Sequence, residues 1–299
     1  MTSSTRAGYV ALVGRPNVGK STLLNRLAGE KLSIVTAKEQ TTRERVTGLV
    51  TTEAVQMIFV DTPGLLEPRY LLQRSMLAEA LMALADADVV LLLLDGTQGA
   101  ATRPAGEALE RLKSRRSDLV AAVNKTDAAK EADVSSLAAW AQDMFAVVPH
   151  RISADRGDGV TELRAELESR LPESPFYYPA DDIAVQPVRF FVAELVRETI
   201  FESYEQEVPY STVVRVEEFR ESADPLYIRA TIYVERDSQK GILIGSHGAA
   251  IRALGKSSRE KIEAFLGRSV YLDLWVKPLA GWRRKKAALK RLGYSLPPD

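Results

Sequence analysis

From Tyr9 to about Pro149, short apolar runs alternate with stretches of helical periodicity. YVALV (9–13), VQMIFV (55–60), VVLLLLD (89–95) and LVAAVN (119–124) are nearly continuous apolar segments, the pattern of strands buried on both faces of a largely parallel sheet. A helix is predicted from Lys20. Leu71 to Ala85 and Val134 to Phe145 combine helical spacing with good helix formers, as crossover helices on the two sheet faces do. The first part of the chain therefore reads as α/β.

Between Leu171 and Asp182 the sequence LPESPFYYPADD carries three prolines, which interrupt regular elements and bias their neighbours toward extended backbone. The expected organisation is a first domain over 1–172, a linker over 173–183 and a second domain over 184–299. In the second domain the pattern predicts an amphipathic helix (Val188 to Tyr204) and two alternating strands (Ser211 to Phe219, Leu226 to Val234). A glycine-bearing helical pair (Ile242 to Leu266), a further strand (Val270 to Val276) and a basic tail follow. No internal repeat is present.

At 299 residues, two domains are also what length alone suggests. The absence of cysteine excludes disulfides, thiolate metal sites and cysteine nucleophiles. The longest strongly apolar run, Val89 to Leu94, is far shorter than the roughly 20 residues that cross a bilayer, and MTSSTRAGYV lacks a signal-peptide apolar stretch, so a cytoplasmic protein is expected. A net charge of zero conceals a gradient. Residues 238–299 carry 13 Lys and Arg against 4 Asp and Glu, leaving the remainder nine charges negative. The basic end suits a polyanion, although charge on its own also fits a solvated face.

The strand YVALV runs straight into Gly14-Arg15-Pro16-Asn17-Val18-Gly19-Lys20-Ser21, followed by Thr22, a match to the phosphate-binding pattern G-x-x-x-x-G-K-[ST]. Glycines let the backbone wrap a phosphate, consecutive amides and the helix N-terminus stabilise its oxygens, Lys20 reaches the β/γ-phosphates and Ser21 can ligate Mg²⁺. The second apolar run ends in Asp61-Thr62-Pro63-Gly64, a carboxylate at a strand's C-terminal edge where α/β sheets bind ligands. Asp61 suits the outer Mg²⁺ shell and the Gly64 amide the γ-phosphate. LVAAVN leads into Asn124-Lys125-Thr126-Asp127; the Asp127 carboxylate can accept from guanine N1–H and N2–H₂, a donor pair that adenine lacks. Asn124 can brace the phosphate loop and the Lys125 stem can cover the ring. Ser153-Ala154 could offer an amide to guanine O6, or could simply form a small-residue turn.

In order and spacing these elements resemble the translation-factor-related GTPases over residues 8 to about 160. The resemblance implies that a threonine of Gln40-Thr41-Thr42-Arg43, Thr42 rather than Thr41, closes over Mg²⁺, so that Lys20, Thr42 and Gly64 form the catalytic set and Ser21, Thr42 and Asp61 the metal set. Leu65 stands where Ras-like GTPases place a water-orienting glutamine, which predicts slow intrinsic turnover; the sequence here resembles the hydrophobic-substituted GTPases, in which a partner or another group positions the nucleophile. Asn17 resembles the asparagine of relatives that use K⁺ as an added charge-neutralising ion.

Gly245-Ser246-His247-Gly248 sets a G-x-x-G loop between two helical stretches. The four residues fit a glycine turn between helices or the backbone clamp of a KH domain; the order helix, strand, strand, helix pair, strand matches the type II KH fold. Together with Glu207 to Ser211 and the glycine-bearing run from Ile244 to Gly255, the motifs resemble the Era family of GTPases over essentially the whole chain. That resemblance implies a P-loop GTPase domain followed by a smaller α+β KH domain. It also implies GTP/GDP and Mg²⁺ as ligands, and the 3′ end of small-subunit ribosomal RNA and the small ribosomal subunit as partners; an unidentified activator and a monomeric chain are expected beside these. Arg252, Lys256, Lys261, Arg283, Arg284, Lys285, Lys286, Lys290 and Arg291 are candidate phosphate contacts; His247 reads either as another or as an exposed turn residue, and Trp282 either stacks or packs. A different reading has the basic tail recruit the GTPase to the inner face of an anionic membrane; another has a non-catalytic RNA clamp with a structural nucleotide.

Overall fold

The structure is a computed structural model that describes residues 5–36 and 38–296. Contacts divide the chain into two units, residues up to 69 with 73–185, and 70–72 with 186 onward.

In the first unit β1 (Arg6–Val13), β2 (Val46–Thr51), β3 (Val55–Asp61), β4 (Val89–Asp95), β5 (Leu119–Asn124) and β6 (His150–Arg151) form one sheet in the order β2-β3-β1-β4-β5-β6. All neighbours are parallel except the β2–β3 pair. Helices α1 (Lys20–Ala28), α2 (Leu71–Asp86), α3 (Gly106–Ser114), α4 (Glu131–Phe145) and α5 (Val160–Arg170) provide the connections. Apolar residues of β4 and β5 are completely buried, which is why these strands show no polar alternation. β2 escapes the apolar-run criterion because VTGLVT holds two threonines and a glycine, and β6 is only two residues long. Strand order reverses around β1, so the crevice beyond its C-terminal end is the ligand position expected of such a sheet.

The segment expected as the linker is hydrogen-bonded to this first unit. The Gln56 carboxamide accepts from the Tyr177 and Tyr178 amides and donates to the Tyr178 carbonyl. Leu49 and Val185 amides donate to Ile183 and Thr47 carbonyls, pairing 183–185 with the edge of β2. This pairing covers backbone groups that an open sheet edge would expose.

In the second unit β7 (Val213–Arg220), β8 (Leu226–Val234) and β9 (Val270–Pro278) form a three-stranded sheet, antiparallel between β7 and β8 and parallel between β8 and β9. Ile228, Ala230 and Ile232 bury one face of β8 in a core with Val192, Val196 and Ile200 of α6 (Val188–Ser203), Leu243 of α8 (Asp237–Ile244) and Leu254 and Ile262 of α9 (Ala249–Leu266). A short helix α7 (Val208–Ser211) occupies the start of what sequence alone reads as the first strand, which begins instead at Val213.

The tail is folded rather than loose. Trp282 is fully buried and its indole N–H donates to the Ser211 carbonyl at 2.9 Å, while Tyr294 stacks on it. Leu289 of α10 (Lys286–Arg291) and Leu292 are buried as well. Packing, not base stacking, is the role of Trp282.

Candidate functional site

Lys20 begins α1, whose N-cap is Gly19 at φ 98°. A Cβ there would lie 2.2 Å from Asn124 Nδ2, so both backbone conformation and space require glycine. Asn124 Nδ2 donates to the Val18 carbonyl at 2.8 Å and Asn124 Oδ1 accepts from the Ala154 amide at 2.9 Å. One side chain thus fastens the phosphate loop to the 153–154 turn. Lys125, itself at φ 61°, lays its stem alongside: its ammonium bonds the Asn17 carbonyl at 2.7 Å and Asp95 Oδ2 at 2.6 Å.

Lys20 is buried, with its ammonium against the carbonyls of Gly14 and Arg15 at 3.3 and 3.1 Å. Burial lowers its pKa to about 8, opposed in part by the negative charge of Asp61. A polyphosphate entering the loop would supply the anion that this ammonium lacks. Asp61, also fully buried, is raised by desolvation against the pull of Lys20 and its hydroxyl donors. Ser21 Oγ donates to Asp61 Oδ2 at 2.7 Å, Thr42 Oγ1 donates to the same oxygen at 3.3 Å, and the two hydroxyls are 3.1 Å apart. Asp61 Oδ1 is buried without a hydrogen-bond partner. Two hydroxyls around a carboxylate with an unsatisfied oxygen suit Mg²⁺, a hard cation that takes oxygen ligands and keeps much of its shell for phosphate and water. Among the described residues no group of three or more His, Cys, Asp or Glu is placed to hold a metal.

A cleft of about 400 Å³ runs over these groups, lined by the phosphate loop, Thr22, Ile34 to Thr36, Gln40 to Thr42, Gly64, Gln98 and Lys125. Thr62 Oγ1 donates to the Leu12 carbonyl and the Leu65 amide to the Gly14 carbonyl, at 2.7 and 2.9 Å, holding the Asp61 to Gly64 turn against the phosphate loop. The Leu65 side chain is buried in the core. Asp127 lies beside Arg156, 3.4 Å from carboxylate to guanidinium.

The amide expected to serve guanine O6 is already engaged. The Ala154 amide donates to Asn124 and the Ser153 amide to the Asp158 carbonyl at 3.0 Å, so Ala154 would reach the base only as a shared, three-centre donor. Sequence reasoning also passed over Asp95, which accepts from the Thr97 amide and hydroxyl as well as from Lys125. Its signal was available: like Asp61, it is a carboxylate closing an apolar strand.

In the second unit Gly245 (φ 70°) ends α8, His247 and Gly248 take positive φ of 49° and 74°, and α9 starts at Ala249. A Cβ on Gly245 would meet Ala250 Cβ at 2.6 Å. The loop thus presents its backbone at the N-terminus of an 18-residue helix, with Ser246 and His247 exposed and the Arg252 guanidinium folded toward Gly248. Lys256, Arg284, Lys285, Lys286, Lys290 and Arg291 are exposed. Arg283 and Lys261 stand in ion pairs. Arg283 pairs with Glu235, and Lys261 sits between Glu198 and Glu202 at 2.9 and 2.7 Å, so both cations neutralise carboxylates of their own unit.

Residues 9–125 match the model of the 50S ribosome-binding GTPase family and residues 207–283 that of the KH domain. The chain is 44% identical to GTPase Era of Thermotoga maritima over 285 residues, 94% of this chain and 95% of that one. It is 43% identical to GTPase Era of Pseudomonas entomophila over 98% of both. A crystal structure of an Aquifex aeolicus Era variant bound to GDP·AlF4⁻ superposes with a TM-score of 0.90 at 38% identity, covering 98% of this chain and all of that one. A structure of Era with MgGDPNP and nucleotides 1506–1542 of 16S ribosomal RNA matches to the same degree. Identity at this level over nearly the full length, with both motif sets in place, means that the chain belongs to the Era family of GTPases.

Proposed function

We propose that this GTPase uses its KH domain to hold the 3′ end of small-subunit ribosomal RNA during assembly of the small subunit, with bound nucleotide setting that engagement. The observation that carries the reading is the exposed G-x-x-G loop at the start of α9, on a chain that also holds a phosphate loop, Mg²⁺-type oxygen donors and a guanine-reading motif. A relative of the same two-part fold is known in complex with that RNA segment.

GTP is hydrolysed to GDP and phosphate, as the family does. In the proposed arrangement the phosphate-loop N–H groups between Gly14 and Thr22, which Pro16 does not supply, and Lys20 cradle the β- and γ-phosphates, and Ser21, Thr42 and Asp61 would hold Mg²⁺, which would neutralise charge on those phosphates. Thr42 and the Gly64 amide close on the γ-phosphate and relax once it has left. Asp127 and Asn124 select guanine. Leu65, buried and apolar, orients no water, so intrinsic turnover is slow and an activating partner or another group supplies that function. Asn17 is the residue through which K⁺ would act; equal single-turnover rates in KCl and NaCl would remove K⁺ from the mechanism.

The test is binding of fluorescent GDP, a GTP analogue and ATP to wild type and Asp127→Ala, with single-stranded 3′-end ribosomal RNA present or absent. Guanine-selective binding that the substitution abolishes, with salt-sensitive RNA binding, supports the proposal. Guanine binding without RNA binding would leave the exposed cations of the tail, Arg284 to Lys286, to recruitment at an anionic membrane, which liposome flotation would then detect.

A further inference from the structure

The sheet of the KH unit has one face packed on helices and one turned away from them. On the second face, register places Glu218 and Arg220 of β7, Tyr227 and Arg229 of β8, and Tyr271, Asp273 and Trp275 of β9 side by side. The folded tail covers one end of this face: Arg215 donates to the Leu292 carbonyl and lies over the Tyr294 ring, and Thr231 and Tyr233 are buried. The other end is open, and aromatic. Tyr271 is 59% and Trp275 50% exposed. Exposure of this kind is unusual for rings that a core would bury.

These rings are held in fixed attitudes. Tyr227 and Tyr271 stack at 5.8 Å with planes 13° apart. The Asp273 carboxylate accepts from the Tyr227 hydroxyl and the Trp275 indole N–H, each at 3.0 Å, pinning both rings from β9. Cations border the row: Arg220 lies over Tyr227 at 4.8 Å, and Lys277 lies 5.7 Å from the centre of the Trp275 ring. Arg229 and Arg220 share Glu218, so the two carboxylates of the patch are committed within it. The backbone positions of Tyr271 and Trp275, four residues apart on one strand, are about 13 Å from each other. Flat rings in pre-set orientations with Lys277 beside them offer π-faces to unpaired bases and positive charge to the backbone, the combination that single-strand binding uses.

We propose that this open sheet face is a second RNA-binding surface, a stacking platform in which Tyr271 and Trp275 take unpaired bases of a single strand and Lys277, beside Trp275, takes a phosphate. It lies on the side of the sheet opposite α8 and α9, which carry the G-x-x-G loop. It rests on the reading that the KH unit binds RNA and extends that unit's footprint beyond the loop. Base stacking on a ring strengthens binding roughly five- to a hundredfold per base.

The experiment uses the full chain and a 5′-labelled single-stranded RNA of the 3′-end sequence, read by anisotropy and by Trp fluorescence. Three variants are compared with wild type: Tyr271→Ala with Trp275→Ala, the conservative pair Tyr271→Phe with Trp275→Phe, and Ser246→Asp with His247→Asp in the loop. The expected result is a loss of roughly fivefold or more in affinity for the alanine pair, near-wild-type affinity for the phenylalanine pair, and RNA-dependent quenching that disappears with Trp275. Wild-type affinity in the alanine pair, while the loop variant loses binding, overturns the platform and leaves the loop reading intact. No RNA binding by wild type overturns both. Retained RNA affinity with lost binding to small-subunit particles also overturns the platform and assigns the face to a protein partner.

Discussion

Lys20 couples nucleotide binding to pH. Burial holds its pKa at about 8, below the ordinary lysine value, because the charged form has lost its water and the two carbonyl contacts and the pull of Asp61 only partly replace it. A bound polyphosphate favours the protonated form, so above that pH binding must take up a proton. GDP affinity should be flat to about pH 7 and then fall through pH 8, approaching roughly tenfold per pH unit; titrations of fluorescent GDP check this, and Lys20→Met should be weak and flat. Folding carries the opposite sign. The unfolded chain keeps this proton to higher pH, so the unliganded protein gains stability as pH rises through 8. Leu65 offers a second test at this scale. Its side chain fills the core, so Leu65→Gln should lower stability by about 1–3 kcal/mol in thermal melts and leave single-turnover hydrolysis no faster, since a carboxamide there starts out buried.

At the scale of elements, the folded tail and the docked segment before α6 are the features that local pattern does not announce. Trp282 is the largest fully buried side chain of the protein and also satisfies the Ser211 carbonyl. Trp282→Ala should destabilise the KH unit by about 3–5 kcal/mol and release the tail to proteolysis, whereas charge removal at exposed Arg284, Lys285 and Lys286 should weaken RNA binding with little change in melting. Gln56 supports the 177–178 backbone through three hydrogen bonds. Gln56→Ala should cost about 1–3 kcal/mol and raise cleavage within 173–185 in limited proteolysis.

Across the whole molecule the sign of charge divides with function. The basic surplus lies in residues 238–299 and the acidic surplus in the rest, so RNA affinity should fall steeply with salt through counterion release. For single strands the slope changes by about 0.7 per phosphate contact. Arg252→Ala should reduce the slope by about that amount and leave GDP affinity unchanged, because Arg252 belongs to the KH unit and the nucleotide cleft to the other. A double-logarithmic plot of RNA affinity against KCl reads this directly.

The amino-acid sequence by itself determined the two kinds of fold, the phosphate loop, the Asp61 turn, the Asn124 to Asp127 motif and the G-x-x-G loop. Each of these uses consecutive residues at the end of one strand or helix, because wrapping a phosphate or reading a base edge requires neighbouring backbone amides and side chains. Tertiary structure decided what those residues touch. Asn124 bonds Val18 across 106 residues, Lys125 finds Asp95, Arg283 and Lys261 turn to carboxylates, and Tyr178 docks on Gln56 across 122 residues. The same holds for the platform: Tyr227 and Tyr271 are 44 positions apart along the chain and become neighbours only because β8 and β9 pair in parallel register. Such contacts depend on strand order and register, and these are set by burial of the whole core and not by any local run of residues.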